Sequence, residues 1–399
     1  MKILHTSDWH IGRQFHNVSL LDDQRHVLNQ IVDIAHQQQV DVILIAGDIY
    51  DRSVPPSHAV ALLDEVLDRI NKLKIPVILI SGNHDGAERL SFGSSQLAQT
   101  GVHILGDLEK ITEPVMLSDQ HGEVAFYGIP YADPASVRHV LQVEATTHDD
   151  AMGHVVGCIL KALDKNHAKT LDKTLDGTTA AKPRTVVLSH CFIDGGQSSE
   201  SERPLSIGGA DRISYEHFSD FDYVALGHLH GRQYKGSETI RYSGSILKYS
   251  FSEEKQIKSV TLVELGAEGV SSIEQVPLNA LKDMRTLTGA LSEILETAPN
   301  DPKRDDYLQI RLTDKHAILD VMGKLRQAYP NVLHIERPGL MAASPQQSAR
   351  REQLKKGEMS MFSDFFAQVN GEPLTPEQQT YVSQTLSDLH DNDLLQKVR

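Results

Sequence analysis

Five times before position 231, an apolar run of strand length stops and a short polar motif follows at once. Asp8-Trp9-His10 comes after residues 2–6, and Gly47-Asp48-Ile49-Tyr50-Asp51-Arg52 after 41–46. Gly82-Asn83-His84-Asp85 comes after 77–80, Ser189-His190 after 185–188, and Gly227-His228-Leu229-His230 after 223–226. Helical stripes lie between the first three runs. One has apolar residues at 21, 27, 28, 31, 34 and 35; the next has Val60, Leu63, Val66, Leu67 and Ile70, with Ser57 placed to cap it. Such alternation predicts an α/β domain with buried strands. In an open α/β sheet, ligands bind beyond the carboxyl ends of the strands. Residues spread from position 8 to position 230 are therefore expected to converge on one site.

The residue types at these strand ends define a chemistry. Asp8, Asp48 and Asn83 offer oxygen; His10, His190, His228 and His230 offer nitrogen; no thiolate joins them. Mixed imidazole and carboxylate donors suit Mn²⁺, Fe²⁺ or Zn²⁺ better than Mg²⁺ or Ca²⁺. Seven donors are too many for one ion with an open position. They fit two ions about 3.5–4 Å apart that share a carboxylate, as in phosphatases and nucleases. Gly47, Gly82 and Gly227 are expected to let the backbone turn tightly and aim the next residue inward.

Charge narrows the partners. The chain has 39 Lys plus Arg against 54 Asp plus Glu, a net charge of −15. Residues 1–279 hold 24 basic and 37 acidic residues, net −13, and residues 280–399 hold 15 and 17, net −2. A chain this acidic is not an electrostatic DNA binder by itself. It can act on a phosphate if metal ions or a second subunit supply positive charge. The longest apolar runs, Val42–Ala46 and Val77–Ile80, fall far short of the roughly 18 residues of a membrane span. No signal-peptide apolar core follows Met1-Lys2. The two cysteines, Cys158 and Cys191, cannot build a disulfide framework, so a reducing cytoplasm is expected.

Taken in order, the motifs DxH, GDxxD, GNHD, H and GHxH resemble those of the calcineurin-like metallophosphoesterases. The stretches KILHTSDWHIGR, GDIYDRSVPP, SGNHDGAERLSFGS, SHCFIDGG, ERPLSIGGADRIS and ALGHLHGRQ further resemble the SbcD family of nuclease subunits, over about residues 1–280. The resemblance implies a four-layer αββα sandwich, two Mn²⁺ ions (Mg²⁺ or another divalent ion as substitute) and phosphodiester hydrolysis by activated water. It implies one ion on Asp8, His10, Asp48 and His230, and the other on Asp48, Asn83, His190 and His228, with Asp48 bridging. His84 stands over the substrate as a catalytic residue. Archaeal and eukaryotic relatives carry His where this chain has Asp51. Asp51-Arg52 instead resembles the GDxxDR pattern of protein phosphatases. By that likeness Asp51 orients His84 and Arg52 contacts phosphate.

The family further implies a DNA exonuclease on duplex ends, with endonuclease activity on hairpin or single-stranded structures, in DNA repair, recombination and replication. Its partners would be DNA, a second copy of the chain and an SbcC-like coiled-coil ATPase. The homodimer surface would involve helices of the first domain, with 88–99 as one candidate. A small-molecule phosphodiesterase or phosphatase is the rival reading on the same fold. A purely structural subunit that regulates an ATPase is a second rival.

The domain expectation is a nuclease domain over 1–280, a small α+β cap over 281–340, and a linker with partner-binding helices over 341–399. The cap is read from strands at 307–312 and 332–335 around a helix at 316–328. The linker carries Arg350, Arg351, Lys355 and Lys356. Two amphipathic stripes follow: Met361, Phe362, Phe365, Phe366 and Val369, then Tyr381, Val382, Leu386 and Leu389 behind a capping box at Thr375-Pro376-Glu377-Gln378. Residues 164–183 read as a surface insertion or loop. Other residues have plainer expectations. His5 is a satisfied core or supporting histidine, and His26 and His36 lie on the surface. Trp9 and Cys191 pack, the alternatives being base stacking and a thiol nucleophile. Arg13 is a salt-bridge residue or a phosphate contact.

Overall fold

The computed structural model describes residues 1–173, 182–203, 205, 211–338, 362–363, 366–367 and 372–385. The basic linker, residues 174–181, and Met361, Phe365, Val369, Leu386 and Leu389 lie outside them. The chain divides into two compact units: Met1–Thr286 with Asp305–Leu308, and Leu287–Arg304 with Gln309–Arg399.

The first unit is built on two six-stranded sheets. One runs Gly269–Pro277, Ser259–Gly266, Lys2–Thr6, Val42–Ala46, Val77–Ile80 and Val102–Ile104. The other runs Gln233–Lys235, Ser237–Tyr242, Tyr223–Gly227, Arg184–His190, Gly122–Ile129 and Val115–Asp119. Because side chains alternate along a strand, each strand feeds two layers. Ile3, Val42, Leu44, Ile78 and Ile80 of the first sheet meet Val124, Phe126, Val186, Leu188 and Tyr223 of the second in one apolar core. The opposite face of the second sheet packs Tyr127, Val187 and Val224 against Met152, Val155 and Ile159 of the helix His148–Lys173. On the first sheet, Leu4, Ile43, Ile45 and Leu79 point the other way and are fully buried. The helices Leu21–Gln37 and Ser57–Lys72 are the crossovers between its parallel strands and carry the buried faces that cover them. The result is the expected α/β sandwich.

Lys2–Thr6, Val42–Ala46 and Val77–Ile80 are parallel, and so are Arg184–His190 and Tyr223–Gly227. In each sheet the carboxyl ends of these strands therefore emerge at one edge.

Local expectations differ from the structure in three places. Residues 164–173 are the end of the 26-residue helix His148–Lys173, not a loop. Its buried residues Ala151, Met152, Val155, Val156, Ile159 and Leu163 keep helical spacing but stop at Leu163, and the turns beyond are mostly polar, so the apolar period fades although the helix continues. Ser57 does not cap its helix; Pro56 holds the cap position with extended backbone and no side-chain cap bond. The helix expected over 316–328 spans Val321–Ala328 and starts at Asp320, whose carboxylate accepts from Gly323 N at 3.2 Å.

In the second unit, residues 376–385 are helical. Thr375 N donates to Gln378 Oε1 at 2.9 Å and Gln378 N donates to Thr375 Oγ1 at 3.3 Å, which closes the capping box read from the sequence. Phe362, Phe366, Leu374, Tyr381 and Val382 line an open cavity of about 300 Å³. Among the described residues, no helix is long and apolar enough to cross a membrane.

Candidate metal centre

Backbone geometry brings the five motifs together first. The loop after Lys2–Thr6 runs beside the loop after Val42–Ala46: Asp8 N donates to Gly47 O at 3.1 Å and His10 N to Asp48 O at 2.9 Å. Asp8, His10, Asp48 and His228 all have positive φ, at 52°, 45°, 50° and 106°. Side-chain-bearing residues rarely adopt this region, and such strain collects at functional sites. The glycines divide the work differently from the sequence reading. Gly47 is left-handed, at φ 88°. Gly82 and Gly227 are not; a Cβ at Gly82 would fall on the Asp48 carboxylate and one at Gly227 on Ala46 O. There glycine permits close approach rather than a turn.

Asp48 lies at the middle of the site. It is 2 % exposed, and its Oδ2 is 3.5 Å from His10 Nε2 and 3.5 Å from His190 Nε2. Its Oδ1 accepts from His84 N at 2.9 Å. On one side, Asp8, His10 and His230 bring ligand atoms together, with the two Nε2 atoms 3.1 Å apart. On the other, Asn83 Oδ1 stands 2.9 Å from His190 Nε2 and 3.3 Å from His228 Nδ1. Burial, reinforced by the Asp48 charge, holds the Asp8 carboxyl well above the usual carboxylate range. Burial likewise holds His10, His190 and His228 below the usual imidazole range, so these rings are neutral near pH 7.

One contact tests whether this donor set fits a cation. His190 Nδ1 faces Ala46 O at 2.9 Å. A carbonyl only accepts, so Nδ1 carries the proton and Nε2 carries a lone pair. That lone pair faces another acceptor, Asn83 Oδ1, while Asn83 Nδ2 is buried with no partner. Turning the amide over would give a plain hydrogen bond; the orientation present suits a positive ion between the two atoms. The residues fit a divalent metal.

His84 is 7 % exposed and lines a polar cavity of about 320 Å³ with Arg13, Gln14, Asp51, Ser201 and Arg203. Its Nδ1 donates to the main-chain carbonyl of Asp51 at 2.8 Å. This corrects the sequence expectation in one respect. The Asp51 carboxylate does not orient His84; it pairs with Arg13 at 3.2 Å and stands 3.7 Å from His10 Nδ1. A backbone carbonyl performs the orienting, which any residue at 51 can supply. Arg52 is exposed and does not line this cavity, whereas Arg13 and Arg203 do.

Residues 1–232 match the family described as calcineurin-like phosphoesterase, and residues 280–370 match the type 5 capsule protein repressor C-terminal domain, SbcD_C. Over 395 residues, 98% of this chain and 100% of the relative, the sequence is 32% identical to the D subunit of the nuclease SbcCD from Staphylococcus epidermidis. The chain belongs to the calcineurin-like phosphoesterases, in the SbcD family. The corresponding protein of Staphylococcus saprophyticus is also 32% identical, over 98% of both chains. Among solved structures, TT1561 of Thermus thermophilus overlays with a TM-score of 0.39 at 12% identity, covering 70% of this chain and 99% of that one.

Sequence reading missed the residues that brace these loops. Asp85 accepts from Ile49 N, Tyr50 N and Gly82 N at 3.1, 2.9 and 2.9 Å, which ties two motif loops together. Burial, then the Asp48 charge, pushes its carboxyl up to about 7. Gln24 accepts from Gly12 N at 3.0 Å and donates to His10 O at 2.6 Å. Asp85 was legible as the last letter of its motif; Gln24 gave no signal, being one polar residue on an amphipathic helix. The plainer expectations fared well. His5 is buried and bonds Tyr223 and Leu226 at 2.9 and 3.2 Å. Trp9 is fully buried on Thr6, so it stacks on no base. Cys191 is buried and its thiol is pushed up to about 12, which leaves it inert at neutral pH.

Proposed function

We propose that this chain is a two-metal DNA nuclease. The observation that carries the proposal is Asp48, whose carboxylate reaches both donor clusters while His84 stands beside it on the cavity. Asp8, His10, Asp48 and His230 would hold one ion, and Asp48, Asn83, His190 and His228 the other. When bound, such ions lower the pKa of water and offset charge on a phosphoryl group. The chain's own residues do the rest. Asn83 and His84, adjacent in sequence, face the imidazoles of His190 and His228 and the cavity respectively. The Asp51 carbonyl fixes the proton on His84 Nδ1, which leaves Nε2 to carry or receive a proton at the leaving oxygen. Arg13 and Arg203 supply positive charge at the cavity of an otherwise acidic unit. Mn²⁺ is the ion we expect, with Mg²⁺ or another divalent ion in its place. The digestion we expect is exonucleolytic on duplex ends and endonucleolytic on hairpins or single strands, in repair, recombination and replication in the cytoplasm. The test compares linear duplex DNA with bis-p-nitrophenyl phosphate and cyclic nucleotides. Turnover confined to the small substrates would favour the rival phosphodiesterase reading.

Two partner readings accompany this one. The relatives are named as subunits of SbcCD, which supports docking on an SbcC-like coiled-coil ATPase through the C-terminal helices. Exposed Tyr381 beside Phe362 and Phe366 is consistent with a helix-in-groove anchor. Deleting residues 357–399 should leave a chain that still takes up two ions but no longer co-purifies with the ATPase; partner capture by the shortened chain would place the anchor elsewhere. For the homodimer, Phe92 is 88 % exposed next to an apolar-lined cavity of about 920 Å³ that includes Val60, Leu63, Leu67 and Leu97. Phe92→Glu should turn a dimer into a monomer in sedimentation with ion content per chain unchanged. A wild-type chain that sediments as a monomer would remove this reading.

A further inference from the structure

His230 is held from behind by a buried network that the nuclease reading does not use. Its Nε2 faces His10, while its Nδ1 lies 2.6 Å from Ser201 Oγ and 3.4 Å from Glu253 Oε1. Ser201 Oγ in turn donates to Glu253 Oε1. Glu253 is fully buried, and its Oε2 pairs with Lys258 Nζ at 2.6 Å. Lys258 also donates to His230 O at 2.9 Å, Ser245 Oγ at 2.7 Å and Gln256 Oε1 at 2.7 Å. Glu202 Oε1 accepts from His230 N at 2.7 Å. Backbone and ring of this one histidine are thus gripped by residues from two separate stretches of chain, 201–202 and 253–258.

The proton count gives the network a direction. A carboxylate paired with an ammonium only accepts. The single Ser201 hydroxyl proton goes to it, so Ser201 Oγ can only accept from His230. Nδ1 must then carry the ring proton, and the Nε2 lone pair faces the cluster of Asp8 and His10. An imidazole that binds metal through one nitrogen is regularly fixed in this way by a hydrogen bond at the other. Stability alone does not account for the arrangement. A buried ion pair is commonly no better than an apolar pair of similar volume, because desolvating both charges offsets their attraction.

We infer that Glu253, acting through Ser201, is the positioning residue for His230, and that the loop bearing Ser201 and Glu202 sets the affinity of one of the two ions. The inference rests on reading His230 as a ligand. Manganese titration calorimetry on the full-length, ion-free chain tests it. Ser201→Ala should weaken one ion by about 10–100-fold, the usual cost of losing such an outer partner, and leave the other ion and the ion-free melting temperature unchanged. Ser201→Thr, which keeps the hydroxyl, should restore the affinity. Long-range proton–nitrogen spectra of the ion-free chain, with the His230 signal assigned by its loss in His230→Ala, should show the Nδ1-protonated ring in wild type and a change in Ser201→Ala. Glu253→Gln should match Ser201→Ala; if it fails to fold, Ser201→Ala decides. Wild-type titration by Ser201→Ala, equal weakening of both ions, or an unmoved His230 spectrum each overturns the inference. If His230→Ala still binds two ions as wild type does, the ligand reading itself falls and takes the inference with it.

Discussion

Asp48→Asn should strip the chain of both ions and reduce DNA cleavage to the level left in EDTA. The centre has two carboxylates, Asp8 and Asp48, to set against two divalent charges. The substitution removes half of that negative charge at the one residue that stands 3.5 Å from an imidazole of each cluster. The loss of affinity should exceed the roughly 10–100-fold that an outer hydrogen-bond partner costs. Folding should not suffer. Without ions, the Asp48 charge is one of the causes that hold Asp8 above its usual range, so removing it relieves repulsion. Asn also keeps an oxygen to accept from His84 N. The ion-free variant should therefore melt no lower than the ion-free wild type. Metal content by elemental analysis and melting in EDTA check this together. Two ions retained, or undiminished cleavage in chelator, would remove the shared-carboxylate centre.

His84→Ala should separate metal binding from chemistry. His84 follows the proposed ligand Asn83 directly, yet its ring turns to the cavity, with Nδ1 tied to Asp51 O. Its loss should leave both ions and most DNA affinity while kcat falls by about 10²–10⁴, the usual range for a general acid. A competing geometry exists, since His10, Asp48 and His84 also bring ligand atoms within reach of one ion. Elemental analysis decides between them: an ion lost with the ring would make His84 a ligand. Asp51→Asn should matter much less, under about tenfold in kcat, because the carbonyl that holds His84 survives the substitution.

How much was legible follows from what sequence spacing encodes. The strand runs at 41–46 and 77–80 are continuous and β-branched, and each is closed by glycine or by a polar motif. Burial on both faces demands such runs, so strands, crossover helices and the loops bearing Asp8, Asp48, Asn83, His190, His228 and His230 could be placed before any coordinates. The helix His148–Lys173 was not legible as one element: its apolar stripe ends at Leu163, and the polar turns beyond it read as an insertion or loop.

The sequence by itself determined the donor types, their order and the strand ends that carry them. Tertiary structure decided which atom of each residue does the work. Asp51 reaches His84 through its carbonyl and not its carboxylate. Asn83 turns its oxygen to two imidazoles. Ser201 and Glu253, far apart in the chain, close on the back of His230. The physical reason is that a short-range pattern fixes which loop a residue occupies, whereas the direction of its side chain depends on strained backbone and on neighbours brought in by the packing of two sheets.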